Sequence, residues 1–373
     1  MRRTRISPTV AVAVAVTIGL TLAPMLRAQS VPHDSIAADS LSHRRIQLLP
    51  ALASAPETGL QYGANVLAVW QPAARQRARP STLTATALRT AKAQTRLRLA
   101  GEHWSPGNAR RIGGTLQWQE FPLPYFGIGD ATPESAEETF IPTGIEAAVS
   151  LQQRVAGAWY ATTGVRRVDQ RITSDSTRAL RTGAVLGAAG GRITEWSLGA
   201  VLDTRDNLFA PRSGDFTQLT YARAVNGLFS DFGFGTLRLD ARRYRPIRTE
   251  HVVALQLQLT AVDGAAPFDQ LALVGNSEIL RGYARGRYRD RAVAAAQAEY
   301  RSPIRHRVGA VVFAGAGTVG PSIGALASQS ILPTYGAGLR FELDRRQRSG
   351  VRADYGRGRD GASGIYLGFN NAF

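Results

Sequence analysis

The 373 residues contain no cysteine, a single lysine (Lys92) and two methionines. Without cysteine there is no disulfide framework, thiolate zinc site, iron–sulfur cluster, cysteine nucleophile or lipid-modified N-terminal cysteine. No run of 18 or more apolar residues follows residue 30, which excludes an ordinary transmembrane helix from that part of the chain. The five histidines, His33, His43, His103, His251 and His306, have no metal-ligand spacing to one another. No G-x-S-x-G occurs, so there is no nucleophile elbow. Residues 315–320 spell G-x-G-x-x-G, but Pro321 follows at once and no helical pattern comes after, which excludes a dinucleotide site. Residues 187–191 are glycine-rich but lack the Lys-Ser/Thr of a phosphate loop. No cofactor, metal or catalytic constellation is expected, and the chain reads as a non-enzyme.

What is present begins with charge. The formal net charge is +17, almost all of it from arginine. Arg2, Arg3 and Arg5 precede an apolar run from Val10 to Ala23, which is too short to span a bilayer. Pro24 breaks that run, and Leu26-Arg27-Ala28 offers a cleavage site. Residues 1–28 therefore read as an export signal. Setting its four arginines aside leaves +13. The remaining arginines are scattered, not gathered into a tract, which argues against nucleic acid. Between residue 28 and the first strand lies only a short polar segment, 29–44. It is too short for a folded domain and reads as a periplasmic tether or an N-terminal plug peptide.

From residue 45 to 373 one texture prevails. Leu97 and Leu99 alternate with Arg96 and Arg98. Leu237, Leu239 and Ala241 alternate with Arg238, Asp240 and Arg242. Leu339, Phe341 and Leu343 alternate with Arg340 and Glu342. This is the period of strands, not of helices. One face is almost purely aliphatic or aromatic, while the other carries Arg, Asp and Glu in mid-strand. With an export signal, no helical interruption, and short turns alternating with longer loops, the pattern predicts a closed antiparallel barrel, apolar outside and polar within. Seventeen candidate spans emerge, including 178–188 and 363–373. Single-chain bacterial barrels are even-numbered, so the expected wall has 16 strands, with one span false among the first or between 171 and 190. On the last span Ile365, Leu367, Phe369 and Phe373 share one face, with Phe369 and Phe373 read as an assembly signal for the barrel assembly machinery. Asn371 departs from that pattern.

The long interruption at 263–290 carries Leu280-Arg281-Gly282-Tyr283, and Glu299-Tyr300-Arg301-Ser302-Pro303 follows on the next strand. Here the chain resembles the BamA/TamA superfamily of outer-membrane barrels, the bacterial surface antigen family. Members carry [VLI]-R-G-[YF] in the loop between strands eleven and twelve, then Glu-aromatic-x-x-Pro. Five predicted strands follow 280–283, as a 16-stranded member requires. The resemblance implies that this loop folds into the lumen, with Arg281 paired to Glu299 on the barrel wall. A second acid, the Asp of Phe-x-Asp-x-Gly, is replaced here by Gly315 in Phe313-Ala314-Gly315-Ala316-Gly317; Glu342 and Asp354 are the candidate substitutes. Tyr125-Phe126-Gly127-Ile128-Gly129-Asp130 and Asp203-Thr204-Arg205-Asp206, with Pro211 and Gly214, also match family loops. Asp203 and Asp206 read as turn-capping acids, not as a metal or acid/base pair.

The implied function is assembly or translocation of protein or lipid at the bacterial outer membrane. The expected partners are outer-membrane lipid, lipopolysaccharide included, and the barrel assembly machinery, with the client polypeptide or lipid left open and nucleic acid excluded. The family's insertases carry polypeptide-transport-associated domains ahead of the barrel, which this sequence lacks room for. The alternative is a passive pore or structural barrel, its lumen lined by Arg96, Arg98, Arg238, Arg242, Arg340 and Arg352 and favouring anions.

Overall fold

A computed structural model describes residues 43–55, 59–71, 79–174, 178–345 and 348–373. The predicted signal segment and nearly all of the tether lie outside these residues. The described part is all β apart from short 3₁₀ turns. Its strands are β1 (His43–Ala55), β2 (Gly59–Gln71), β3 (Ser81–Thr90), β4 (Thr95–Trp104), β5 (Arg110–Glu120), β6 (Leu123–Tyr125), β7 (Glu138–Ala156), β8 (Trp159–Ser174), β9 (Gly190–Asp203) and β10 (Gly214–Ala224). They continue with β11 (Phe234–Arg248), β12 (His251–Gly264), β13 (Ala272–Leu273), β14 (Arg289–Asp290), β15 (Ala292–Arg301), β16 (Val308–Gly320), β17 (Leu332–Asp344), β18 (Ser349–Arg357) and β19 (Ser363–Phe369).

Strands β5 and β6 pair with β7 in a single register, Glu120↔Thr143 and Leu123↔Phe140, and so form one interrupted wall strand. The β13–β14 hairpin belongs to a loop and forms its own two-stranded sheet. The wall among the described residues therefore has 16 antiparallel strands, the number expected. Successive neighbours pair along the whole chain, and Ser54↔Leu367 joins β1 to β19. The false span is 178–188, which forms turns.

Side-chain alternation gives the wall two faces. Leu97, Leu116, Val149, Leu198, Leu219 and Leu339 project outward and are exposed, Leu198 to 71%. Burying so much apolar surface needs a non-aqueous surround. Tyr62, Tyr221, Tyr335 and Tyr355 lie on this face toward one rim, and Trp70, Trp159 and Tyr300 toward the other. Such aromatic girdles bound the apolar band of a membrane barrel.

Long connections, including 121–137, 178–189 and 265–291, gather at one end, here the loop end. Short turns such as 157–158 and 249–250 gather at the other, the turn end. Turns of this kind face the periplasm in outer-membrane barrels.

Candidate functional site: a loop pinned inside the barrel

The 265–291 loop connects the eleventh and twelfth wall strands, β12 and β15, and turns inward. Leu280, Arg281 and Tyr283 are buried, Arg281 to 0% exposure. A guanidinium excluded from water needs carboxylates and well-directed hydrogen bonds. Arg281 Nη2 donates to Glu299 Oε2 at 2.8 Å, and Nη1 donates to Asp354 Oδ2 at 2.7 Å. Its guanidinium carbon also sits 3.5 Å from the centre of the Phe313 ring. Glu299 is the expected partner. Asp354, from β18, takes the position of the second acid where the family's Asp is replaced by Gly315. Glu342 does not reach the site; its backbone N–H donates to Arg307.

These two carboxylates serve four guanidinium groups. Glu299 Oε1 accepts from Arg301 Nε at 2.8 Å. Asp354 accepts from Arg352 Nη1 at 2.6 Å and also pairs with Arg340. Arg340 and Arg352 are direct cross-strand partners, a like-charge pair that only a shared anion makes tolerable. Arg352 Nη2 reaches on to the loop carbonyl of Ser277 at 2.7 Å.

The glycine and tyrosine of the motif have equally local reasons. Gly282 has φ +121, and a Cβ there would meet the backbone of Arg357 and Gly358 at 2.7 and 2.8 Å. Only glycine lets the loop backbone approach β18 this closely. Its N–H donates to Tyr366 Oη at 2.8 Å, and Tyr366 Oη donates to the Tyr283 carbonyl at 3.1 Å. Tyr283 Oη donates to the Pro333 carbonyl at 2.8 Å and accepts from the Arg359 N–H at 2.8 Å. The whole 277–283 stretch is thus fastened to β15–β19.

The other end of the loop crosses to the opposite wall. Arg166 on β8 donates to Gln270 Oε1 at 3.1 Å and holds Glu195 and Glu146 at 2.6 and 3.0 Å. Gln170 on β8 donates to Asp269 Oδ2 at 2.5 Å. Phe268 packs with Tyr125, Phe140, Ile172 and Leu180. The 121–137 loop closes over the rest. Gly129 N–H donates to the Arg289 carbonyl at 2.8 Å, and Arg289 lies among the rings of Tyr125, Phe140 and Phe268. The second anchor carries no family signature in the sequence. Its only signal is alternation, which places Arg166 and Gln170 on the inner face.

The last strand departs from expectation. It ends at Phe369, whose side chain lies outside the described part. Asn370, at φ +58, turns the chain off the wall, and its Oδ1 accepts from the Gly350 N–H at 3.2 Å. Residues 371–373 enter the lumen at the turn end. There Phe373 is buried beside Tyr244, and its main-chain carboxylate oxygen accepts from Arg301 Nη2 at 2.6 Å. Phe373 thus does not share the outer face of Ile365 and Leu367. Two inward polar side chains, Arg301 and Arg340, supply the alternative: Asn371 Oδ1 accepts from Arg340 Nε at 2.9 Å.

Asp203 and Asp206 behave as turn acids. Asp203 is held in a two-pronged grip by Arg205 and by Arg79 at 2.7 Å. Asp206 Oδ1 accepts from the Arg212 and Ser213 N–H groups, and Oδ2 from Arg348 at 2.8 Å. Partial burial pushes the Asp206 carboxyl up, but these donors outweigh it and leave it below the ordinary carboxylate range. Among the described residues no group of three or more His, Asp or Glu could hold a metal ion.

Sixteen antiparallel strands, an apolar outer band with aromatic girdles and a buried Arg281 on two wall acids define a bacterial outer-membrane β-barrel of the BamA/TamA kind. The Omp85 superfamily domain matches residues 84–361, and the chain belongs to that superfamily. No curated protein matches it in sequence. Among solved structures it is similar to BamA from Haemophilus ducreyi lacking POTRA domains 1–3, at 14% identity and TM-score 0.58. That match covers 89% of this chain and 70% of the other. It is also similar to CdiB from Acinetobacter baumannii, at 12% identity and TM-score 0.58, covering 87% of this chain. The chain spans 65% of that structure's length.

Proposed function

We propose that this barrel assists assembly or translocation of protein or lipid at the outer membrane, with the 265–291 loop as a brace across its lumen. The observation that carries the reading is the double fastening of the loop: Arg281 to β15 and β18, and Asp269–Gln270 to β8. A brace set across the lumen keeps a wall in shape while its strands engage a client. The motif at 280–283 supports the same reading by resemblance. The decisive experiment is single-channel conductance in a planar bilayer for wild type and for a deletion of 270–288. A quiet wild type that opens on deletion supports the brace. A steady wild-type current that the deletion hardly changes would end this reading.

One observation favours the passive-pore alternative. Along β3–β7 the inner wall is lined by Thr82, Thr84, Thr115 and Ser150, with Arg98 beside them, around a cavity of about 270 Å³. Of the six lumen arginines, Arg340 and Arg352 are engaged by Asp354, and Arg242 by Asp240 at 2.6 Å. Anion selectivity would then depend on Arg98, Arg238 and Arg96, the last stacked over the Phe121 ring at 4.1 Å, and the same recordings read it.

A further inference from the structure

The outer wall is uneven. Alanines occur at outward positions on several strands, but on β15 Ala294, Ala296 and Ala298 follow in succession, and β16 adds Ala310, Ala314 and Ala316. There a groove of about 650 Å³ is sunk into the lipid-facing side. Its floor follows one line of cross-strand partners: Asp215↔Arg243, Arg243↔Leu255, Leu255↔Ala298 and Ala298↔Ala314. Ala241 and Ala296 lie alongside.

The line is oblique to the membrane. Asp215 is the second residue of β10, next to the turn-end connection, whereas Ala314 lies at the middle of β16. From β11 to β16 it crosses three inter-strand steps, roughly 14 Å. With strands tilted by about 40°, that path rises roughly 9 Å along the membrane normal. The groove therefore lies in the periplasmic half of the apolar band, with Ala298 two residues from Tyr300 of the turn-end girdle.

Its polar end is charged. Arg243 donates to Asp215 at 2.8 Å, and Arg245 approaches the same carboxylate at 3.6 Å. Both guanidinium groups are more than half exposed. Two arginines on one acid leave one positive charge, which matches one phosphate diester.

We infer that this groove binds one phospholipid of the periplasmic leaflet. Its phosphate lies on Arg243 and Arg245, and an acyl chain follows Leu255, Ala298 and Ala314. Charge at one end, an apolar floor and a path of roughly 14 Å for an acyl chain fit that ligand together. A small residue at 298 and 314 is then a requirement of the ligand, not of the wall.

The test is native mass spectrometry of the full chain refolded in detergent micelles doped with phosphatidylglycerol, with heat-modifiable gel mobility as the folding check. Wild type should retain one lipid per barrel. Filling the groove with Ala298→Leu and Ala314→Leu should reduce retention by about tenfold. Arg243→Gln with Arg245→Gln should also reduce it, and should abolish preference over diacylglycerol, which lacks phosphate. Should the leucine pair fail to refold, the glutamine pair carries the same test. Undiminished lipid in either folded variant overturns the inference, as does equal retention of diacylglycerol by wild type. Competition by inorganic phosphate would reassign the arginines to a free anion. A wild-type dimer broken by the leucine pair would assign the groove to a second copy of the chain.

Discussion

Arg281 is a fully buried cation whose cost is met by two acids that also serve three other arginines. Four guanidinium groups share these two carboxylates, so the network is sensitive to loss of either acid. Glu299→Ala should lower barrel stability by about 3–5 kcal/mol, and Asp354→Ala by a similar amount. Thermal unfolding followed by gel mobility measures both; an unchanged midpoint for either would remove that acid from the network. The sequence made the first acid readable and left the second between Glu342 and Asp354. Both point inward by alternation, but alternation reports face and not height. Asp354 pairs with Gly338 on β17, and Glu342 lies four residues further toward the turn end, roughly 13 Å away along the strand. Only the register, which depends on turn geometry, separates them.

At the scale of elements, the false strand at 178–188 has a physical origin. Leu180, Ala184, Leu186 and Ala188 imitate an apolar face, but Leu180 and Ala188 pack with Phe268 in a connection, not in the wall. A period of two is produced equally by a strand and by a segment wedged under a loop. The same cluster holds the second anchor. Arg166→Ala should free the 268–270 end while Arg281 keeps 277–283 in place. Limited proteolysis should then cut between 266 and 274 with the barrel still folded, and resistance there would count against β8 as an anchor. The 204–213 turn should answer to pH. Because Asp206 titrates below the ordinary carboxylate range, its contribution is fully present above about pH 4, the unfolded carboxylate value, and is lost as the pH falls further. Amide exchange in this turn should therefore show extra opening as the pH falls below about 4, absent in Asp206→Asn.

For the whole molecule, strand number, antiparallel order and the inside-outside division were all legible, because a lipid-facing wall enforces a strict period of two. What occupies the lumen was legible only through resemblance, since no period marks a loop that turns inward. The closing pair, Ser54↔Leu367, joins residues 313 positions apart in the chain, whereas every other wall pairing is between consecutive wall strands. Pairing of such separation is entropically the slowest to form. The lumen, meanwhile, is occupied by the 265–291 loop and by residues 371–373. Loop-closure entropy therefore favours one order: the long hairpin sheet forms as an open trough, the loop and the 371–373 segment settle into it, and the seam closes last around its contents.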